Sequence, residues 1–190
     1  RFPTFLQMYI DKHVYCGIKE GSYNAFSEAV HGAGKQLLPN IVKQVKERGI
    51  GTIYSLGPTP ELDAELLKML AEQNIPVRYV AVDISPSTLF KTKDEISNYL
   101  GLPPARSEVT LDRILGSFEG VNSSEKSLVI MTGGTVSNNP DSLWKVAARI
   151  AKPGGLVVAD SGLTPERSTQ ESAYWKKYWM SMYNTPAQRE

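Results

Sequence analysis

Apolar residues recur along the chain in two alternating rhythms. Leu37, Leu38, Ile41, Val42 and Val45 follow a helical period, which predicts an amphipathic helix of about three turns. Arg48-Gly49 should end it, with the glycine as left-handed cap. Thr52-Ile53-Tyr54-Ser55-Leu56 then reads as a strand, stopped by Gly57-Pro58. Thr59-Pro60-Glu61 opens a second helix. Thr59 is its expected N-cap and Pro60 its first residue, and Leu62, Leu66, Met69 and Leu70 form its core stripe. Glu61 and Asp63 would complement the positive helix end.

The alternation continues. Val77 to Val82 is a strand ending at Asp83. Ser85-Pro86 starts a helix with the stripe Leu89, Ile96 and Leu100, and a weaker strand lies near Val109 to Leu115. Ser127 to Met131 is a near-continuous apolar run, as expected of a strand covered on both faces. A helix beginning near Asn139-Pro140-Asp141 carries the stripe Leu143, Trp144, Ala147 and Ile150. Lys152-Pro153-Gly154-Gly155 turns the chain into a last strand, Leu156 to Asp160. Helices alternating with apolar strands predict an α/β fold: a Rossmann-like, doubly wound parallel sheet of at least five strands with helices on both faces.

Composition narrows the function. The chain has 190 residues and 21 Lys and Arg against 20 Asp and Glu, a net charge of +1. That balance argues against a nucleic-acid or anionic-membrane surface. No apolar run reaches the roughly 18 residues that span a bilayer. One cysteine, Cys16, allows no intrachain disulfide and points to a reducing compartment, the cytoplasm. His13 and His31 are the only histidines, and no metal-ligand spacing occurs. A Ser–His–acid triad would have to recruit one of those two. His31-Gly32-Ala33-Gly34-Lys35 lacks the strand, the glycine spacing and the Ser or Thr of a phosphate loop.

Ligands of an open parallel sheet bind beyond the carboxyl ends of its strands, where the strand order reverses. Those ends carry Gly57, Asp83, Gly133-Gly134 and Asp160. Each alone reads as a turn or cap; together they read as a binding site. The first turn selects the ligand. It has one glycine, its Pro58 and Pro60 have no N–H, and Glu61 and Asp63 follow in the first helical turn. A pyrophosphate is disfavoured there and a nucleoside is not. Asp83 stands where an acidic residue, about 20 residues beyond such a turn, accepts from ribose hydroxyls.

These residues resemble a class I S-adenosylmethionine-dependent methyltransferase, and within that superfamily the histidine-specific methyltransferases of ergothioneine synthesis. The likeness covers roughly Tyr54 to Tyr174. It rests on Tyr79-Val80-Ala81-Val82-Asp83-Ile84-Ser85, Leu115-Gly116-Ser117-Phe118-Glu119-Gly120, Met131-Thr132-Gly133-Gly134-Thr135-Val136-Ser137-Asn138 and Lys152-Pro153-Gly154-Gly155. The resemblance implies S-adenosylmethionine as cofactor, held by Gly57, Asp83, Ile84, Ser117, Phe118 and Gly133. It implies a small amino-acid-like substrate met by Asn138 and Tyr174, and methyl transfer to an amino group.

Alternatives remain open. Asn138 or Asn139 also reads as a helix cap, and Tyr174, Trp175, Tyr178 and Trp179 as a packing stripe. The first motif reads Ser55-Leu56-Gly57-Pro58-Thr59 where the family is rich in Gly and Ser. The alternative function is therefore a non-catalytic Rossmann-like interaction domain or one domain of a larger enzyme. The expected organisation is an N-terminal segment 1–34, a lid or interface, followed by a methyltransferase domain over 35–190, C-terminally incomplete. A homo-oligomer or a larger parent chain would complete the sheet edge.

Overall fold

The computed structural model describes residues 36–101, 109–132, 135 and 140–159. Helix α1 covers 36–48. It is followed by β1 (Thr52–Leu56), α2 (Pro60–Glu72), β2 (Val77–Asp83), α3 (Pro86–Leu100), β3 (Val109–Leu115), a short 3-10 turn (Phe118–Gly120), β4 (Ser127–Met131), α4 (Pro140–Ala151) and β5 (Leu156–Ala159). The strands form one sheet in the order β3-β2-β1-β4-β5, and every pairing is parallel. The five-stranded parallel α/β architecture expected from the sequence is the one observed.

The chain winds outward from β1 through β2 to β3, then returns to β4 on the other side of β1. Parallel crossovers are right-handed, so this reversal places the later helix on the opposite face. The core records it as two apolar layers. Ile53, Tyr79, Ala81, Leu128 and Ile130 face α1, α2 and α3, and Tyr54, Leu56, Val80, Val82, Val129 and Met131 face α4. Neighbours in a strand thus enter opposite layers, and all five residues of β1 and of β4 are buried.

Local chemistry sets the boundaries. Gly49, at φ +58, ends α1, with Ile50 N–H returning to the carbonyl of Val45 at 3.0 Å. Pro86 opens α3 behind Ser85, whose hydroxyl accepts from Thr88 N–H at 3.3 Å, and Gly101 closes it at φ +62. In the Lys152-Pro153-Gly154-Gly155 turn, a Cβ on Gly155 would lie 2.0 Å from the carbonyl oxygen of Ala151. That glycine is required by packing between α4 and β4, at the end of β5 remote from the strands' carboxyl ends.

Two stripe assignments change. Leu37 is 55% exposed and Trp144 47% exposed, whereas Leu38 and Val146 are buried. Leu37 and Trp144 lie about 100° round the helix from their buried neighbours Leu38 and Leu143, and each falls on the solvent side of the buried face. The N-terminal segment 1–34 and the residues from Asp160 onward lie outside the described residues, as do the domain boundaries drawn there. Among the described residues no helix is long and apolar enough to cross a membrane.

Candidate functional site

Three strand ends meet in a row. Gly57 follows β1, and its N–H donates to the carbonyl of Val82 at 2.9 Å. Asp83 ends β2, and its carbonyl accepts from Gly116 N–H at 3.0 Å, just past β3. Ser117 and Phe118 come next. Ser117 caps the 3-10 turn by accepting from Glu119 N–H at 3.3 Å, and its hydroxyl donates to the Glu119 carboxylate. Arg149 of α4 fastens that turn from the other face, donating to the carbonyl oxygens of Glu119 at 2.7 Å and Val121 at 3.2 Å. Phe118 packs on the apolar layer beneath α4, Ser117 is exposed, and Ile84 is half-buried. The fold therefore brings Gly57, Asp83, Ile84, Ser117 and Phe118 to one end of adjoining strands.

Asp83 is half-buried, and one carboxylate oxygen accepts from Ser85 N–H at 2.7 Å. Burial pushes its carboxyl above the usual range, opposed by the backbone N–H groups of Ser85 and Ile84. A carboxylate offers about four acceptor positions, so two backbone donors leave capacity for further hydroxyls. The helix cap itself is supplied by Ser85, which frees Asp83 from that bland role.

The turn after β1 behaves differently from the sequence expectation in two respects. Thr59 stands at the N-cap of α2 in extended conformation, but its side chain makes no cap hydrogen bond. Its buried hydroxyl instead accepts from that of Thr132, beyond β4, at 3.1 Å. Thr135 lies over Gly57: a Cβ there would meet its hydroxyl oxygen at 2.6 Å, and Gly57 has φ +68. The gap between the ends of β1 and β4, where strand order reverses, is thus bridged by threonine side chains.

The second departure is Asp63. The sequence places it with Glu61 as a charge facing the helix end. Glu61 is exposed, but Asp63 is turned under the helix into the core, 1% exposed. Its Oδ2 accepts from Tyr79 Oη at 2.6 Å and from Ser55 Oγ at 2.7 Å, while Oδ1 has no full hydrogen bond among the described residues. Burial is the main force on this carboxyl and raises it to about 6, against the two hydroxyl donors and the backbone N–H of Thr59. Of the two acids expected to repel a phosphate, only Glu61 remains near the turn's surface. One signal points to this cluster: Asp63, Leu67 and Leu70 share the spacing of a buried helix face, so an acid sits on the apolar stripe.

Gly133, Asn138 and Tyr174, the remaining expected site residues, lie outside the described residues. Among the described residues no group of three or more His, Cys, Asp or Glu could hold a metal ion.

No family model and no curated protein matches the chain. Solved structures do. A DUF574 family protein from Streptomyces avermitilis superposes with a TM-score of 0.51 at 15% identity, over 79% of this chain and 61% of its own. A COG1565 superfamily member from Burkholderia thailandensis, bound to S-adenosyl-homocysteine, gives 0.41 at 17% identity over 52% and 24%. A protein from Thermobifida fusca whose name proposes a methyltransferase gives 0.45 at 17% over 73% and 56%. The chain spans less than two thirds of the length of each of these proteins. At such identities the likeness is one of fold: this chain shares the Rossmann-like architecture of the Streptomyces protein.

Proposed function

We propose that the chain is an S-adenosylmethionine-dependent methyltransferase acting on an amino group of a small, amino-acid-like substrate. The observation that carries this reading is Asp83: a half-buried carboxylate at the end of β2, held by backbone N–H groups and with acceptor capacity to spare. A ribose presents two neighbouring hydroxyl donors that suit it. The turn after β1 supports a nucleoside over a dinucleotide, since Pro58 and Pro60 contribute no N–H to an anion and Glu61 adds a negative charge. The narrower likeness to histidine-specific methyltransferases rests on the sequence motifs alone.

The residues fit the nucleoside end of the cofactor. Asp83 would accept from the ribose, Ser117 and Phe118 would border the adenine, Ile84 would lie beside them, and the backbone of Gly57 with Gly133 would line the remaining side. When bound, S-adenosylmethionine supplies a methyl group on a positively charged sulfur. The protein's share is alignment and exclusion of water. Asn138 and Tyr174 would orient the acceptor. An amine attacks only after losing its proton, which passes to solvent or to a tyrosine or carboxylate near the acceptor.

A second reading has one observation in its favour. The Thr59–Thr132 hydrogen bond and the seat of Thr135 on Gly57 fill the space between β1 and β4 with the chain's own atoms. A non-catalytic domain, or one domain of a larger enzyme, would tolerate that filling. Calorimetric titration of the folded chain with S-adenosylmethionine and S-adenosylhomocysteine separates the two. Heat with both supports the methyltransferase, and heat with neither removes it. Transfer of an isotope-labelled methyl group to a panel of free amino acids, followed by mass spectrometry, then tests the acceptor.

A further inference from the structure

We infer that Asp63 is a positioning residue for the Gly57 turn, a buried carboxylate whose charge clamps the first turn of α2 onto β1 and β2 and so sets where that turn presents its backbone. The inference deepens the reading above, and rests on it only for what the turn binds.

Helix α2 begins without the usual device. Thr59 does not cap it, because its hydroxyl is committed to Thr132. Asp63 closes the first turn through its main chain, donating N–H to the carbonyl of Thr59 at 3.1 Å. Its side chain then reaches both strands beneath. Ser55 is two residues before Gly57 on β1, and Tyr79 lies on the same face of β2, the strand that ends in Asp83. The two hydroxyls converge on one oxygen, so α2, β1 and β2 are tied at a single atom directly behind the Gly57 turn. Nothing about packing demands an acid here. The other oxygen is buried with no full hydrogen bond among the described residues, only the nearby backbone N–H of Thr59 favouring its charge, a cost of the kind that an apolar side chain would avoid.

Among the described residues, Tyr79, Ser55, the backbone N–H of Thr59 and Glu61 act on Asp63. Tyr79 stays protonated as a donor, since burial and the Asp63 charge push its phenol well above the ordinary value. Ser55 does not titrate. Glu61, on the same helix, adds a repulsive charge. On α3, which packs beside α2, Lys91 and Glu95 pair with one another at 3.3 Å. Protonating Asp63 would turn two charge-assisted hydrogen bonds into ordinary ones and loosen the clamp.

Backbone amide NMR of the full chain, titrated from acid to mildly alkaline pH without ligand, tests this. The Gly57 resonance should move with a midpoint near 6. That transition should vanish in Asp63→Asn, and in Tyr79→Phe its midpoint should rise, because a donor favouring the charged form is gone. In Asp83→Asn it should persist. A Gly57 resonance that does not titrate, that titrates unchanged in Asp63→Asn, or that loses its transition in Asp83→Asn overturns the inference. Tyr79→Phe gives the answer even if Asp63→Asn does not fold. These spectra need no cofactor, so a chain that binds no S-adenosyl compound would sink the proposed function and leave this result standing.

Discussion

The phenol of Tyr79 donates to the carboxylate of Asp63 at 2.6 Å within the apolar layer between α2 and the sheet. Ser55 adds a second donor to the same oxygen at 2.7 Å. An acid in that layer shifts the protein's proton balance as well as its geometry. Asp63 is raised from 3.8 to about 6 by burial. The folded state therefore binds a proton more tightly than the unfolded chain, and the stability this confers is fully present at acid pH and lost as pH rises through about 6.

Asp63→Asn should expose that linkage. Its stability relative to the parent should rise by roughly 2 kcal/mol between about pH 4 and pH 7, because a tenfold change in proton affinity corresponds to about 1.4 kcal/mol. Urea unfolding of both proteins at matched pH values measures it. Parallel stability curves would show that Asp63 ionises as freely in the folded protein as in the unfolded chain.

Asp83→Ala should abolish binding of S-adenosylhomocysteine while costing only about 1 kcal/mol of stability, from the backbone bonds it makes to the β2–α3 turn. For the parent chain, affinity should weaken as the pH falls through the raised value of this carboxyl, because the ionised form is the better ribose acceptor. Affinity that is unchanged in the variant would place the ribose elsewhere.

Gly57→Ala should lose roughly 1–3 kcal/mol, because φ is +68 and the added methyl would meet Thr135 Oγ1 at 2.6 Å. The threonine is not free to swing away, since its hydroxyl donates to the carbonyl of Thr132 at 3.0 Å. Adding Thr135→Ala should recover the steric part of the loss and leave the backbone part. Thermal unfolding of the single and double variants separates the two.

Gly155→Ala should cost about 3 kcal/mol or more, since the methyl would fall 2.0 Å from the carbonyl oxygen of Ala151 and 2.6 Å from that of Ser127. Both obstacles are backbone. The loss should appear as a lowered unfolding midpoint in the absence of ligand, and an unchanged midpoint would contradict the packing described for the turn.

The fold is readable from the sequence because its signals are local. Thr59-Pro60, Ser85-Pro86, Gly49 and Gly101 punctuate the chain, β4 is a near-continuous apolar run, and β1 is short and bounded by Gly51 and Gly57-Pro58. Leu37 and Trp144 escape the stripe pattern because adjacent apolar residues in a helix point about 100° apart, and only packing selects between them. The site is readable where it follows from strand ends, as for Gly57 and Asp83. Asp63 reads as a surface charge because first-turn acids usually serve the helix dipole. Its real partners, Ser55 and Tyr79, are brought to it by strand pairing and helix docking, which no short stretch of sequence encodes. The Thr59–Thr132 bridge is hidden for the same reason: its members are far apart in the chain and meet only once β4 lies beside β1.

Isothermal titration of the intact chain with S-adenosylhomocysteine, and separately with NAD, tests the central claim most directly. The account predicts saturable heat with the thioether nucleoside and none with the dinucleotide. Saturable binding of NAD, or silence toward both ligands from a protein shown to be folded, would contradict it.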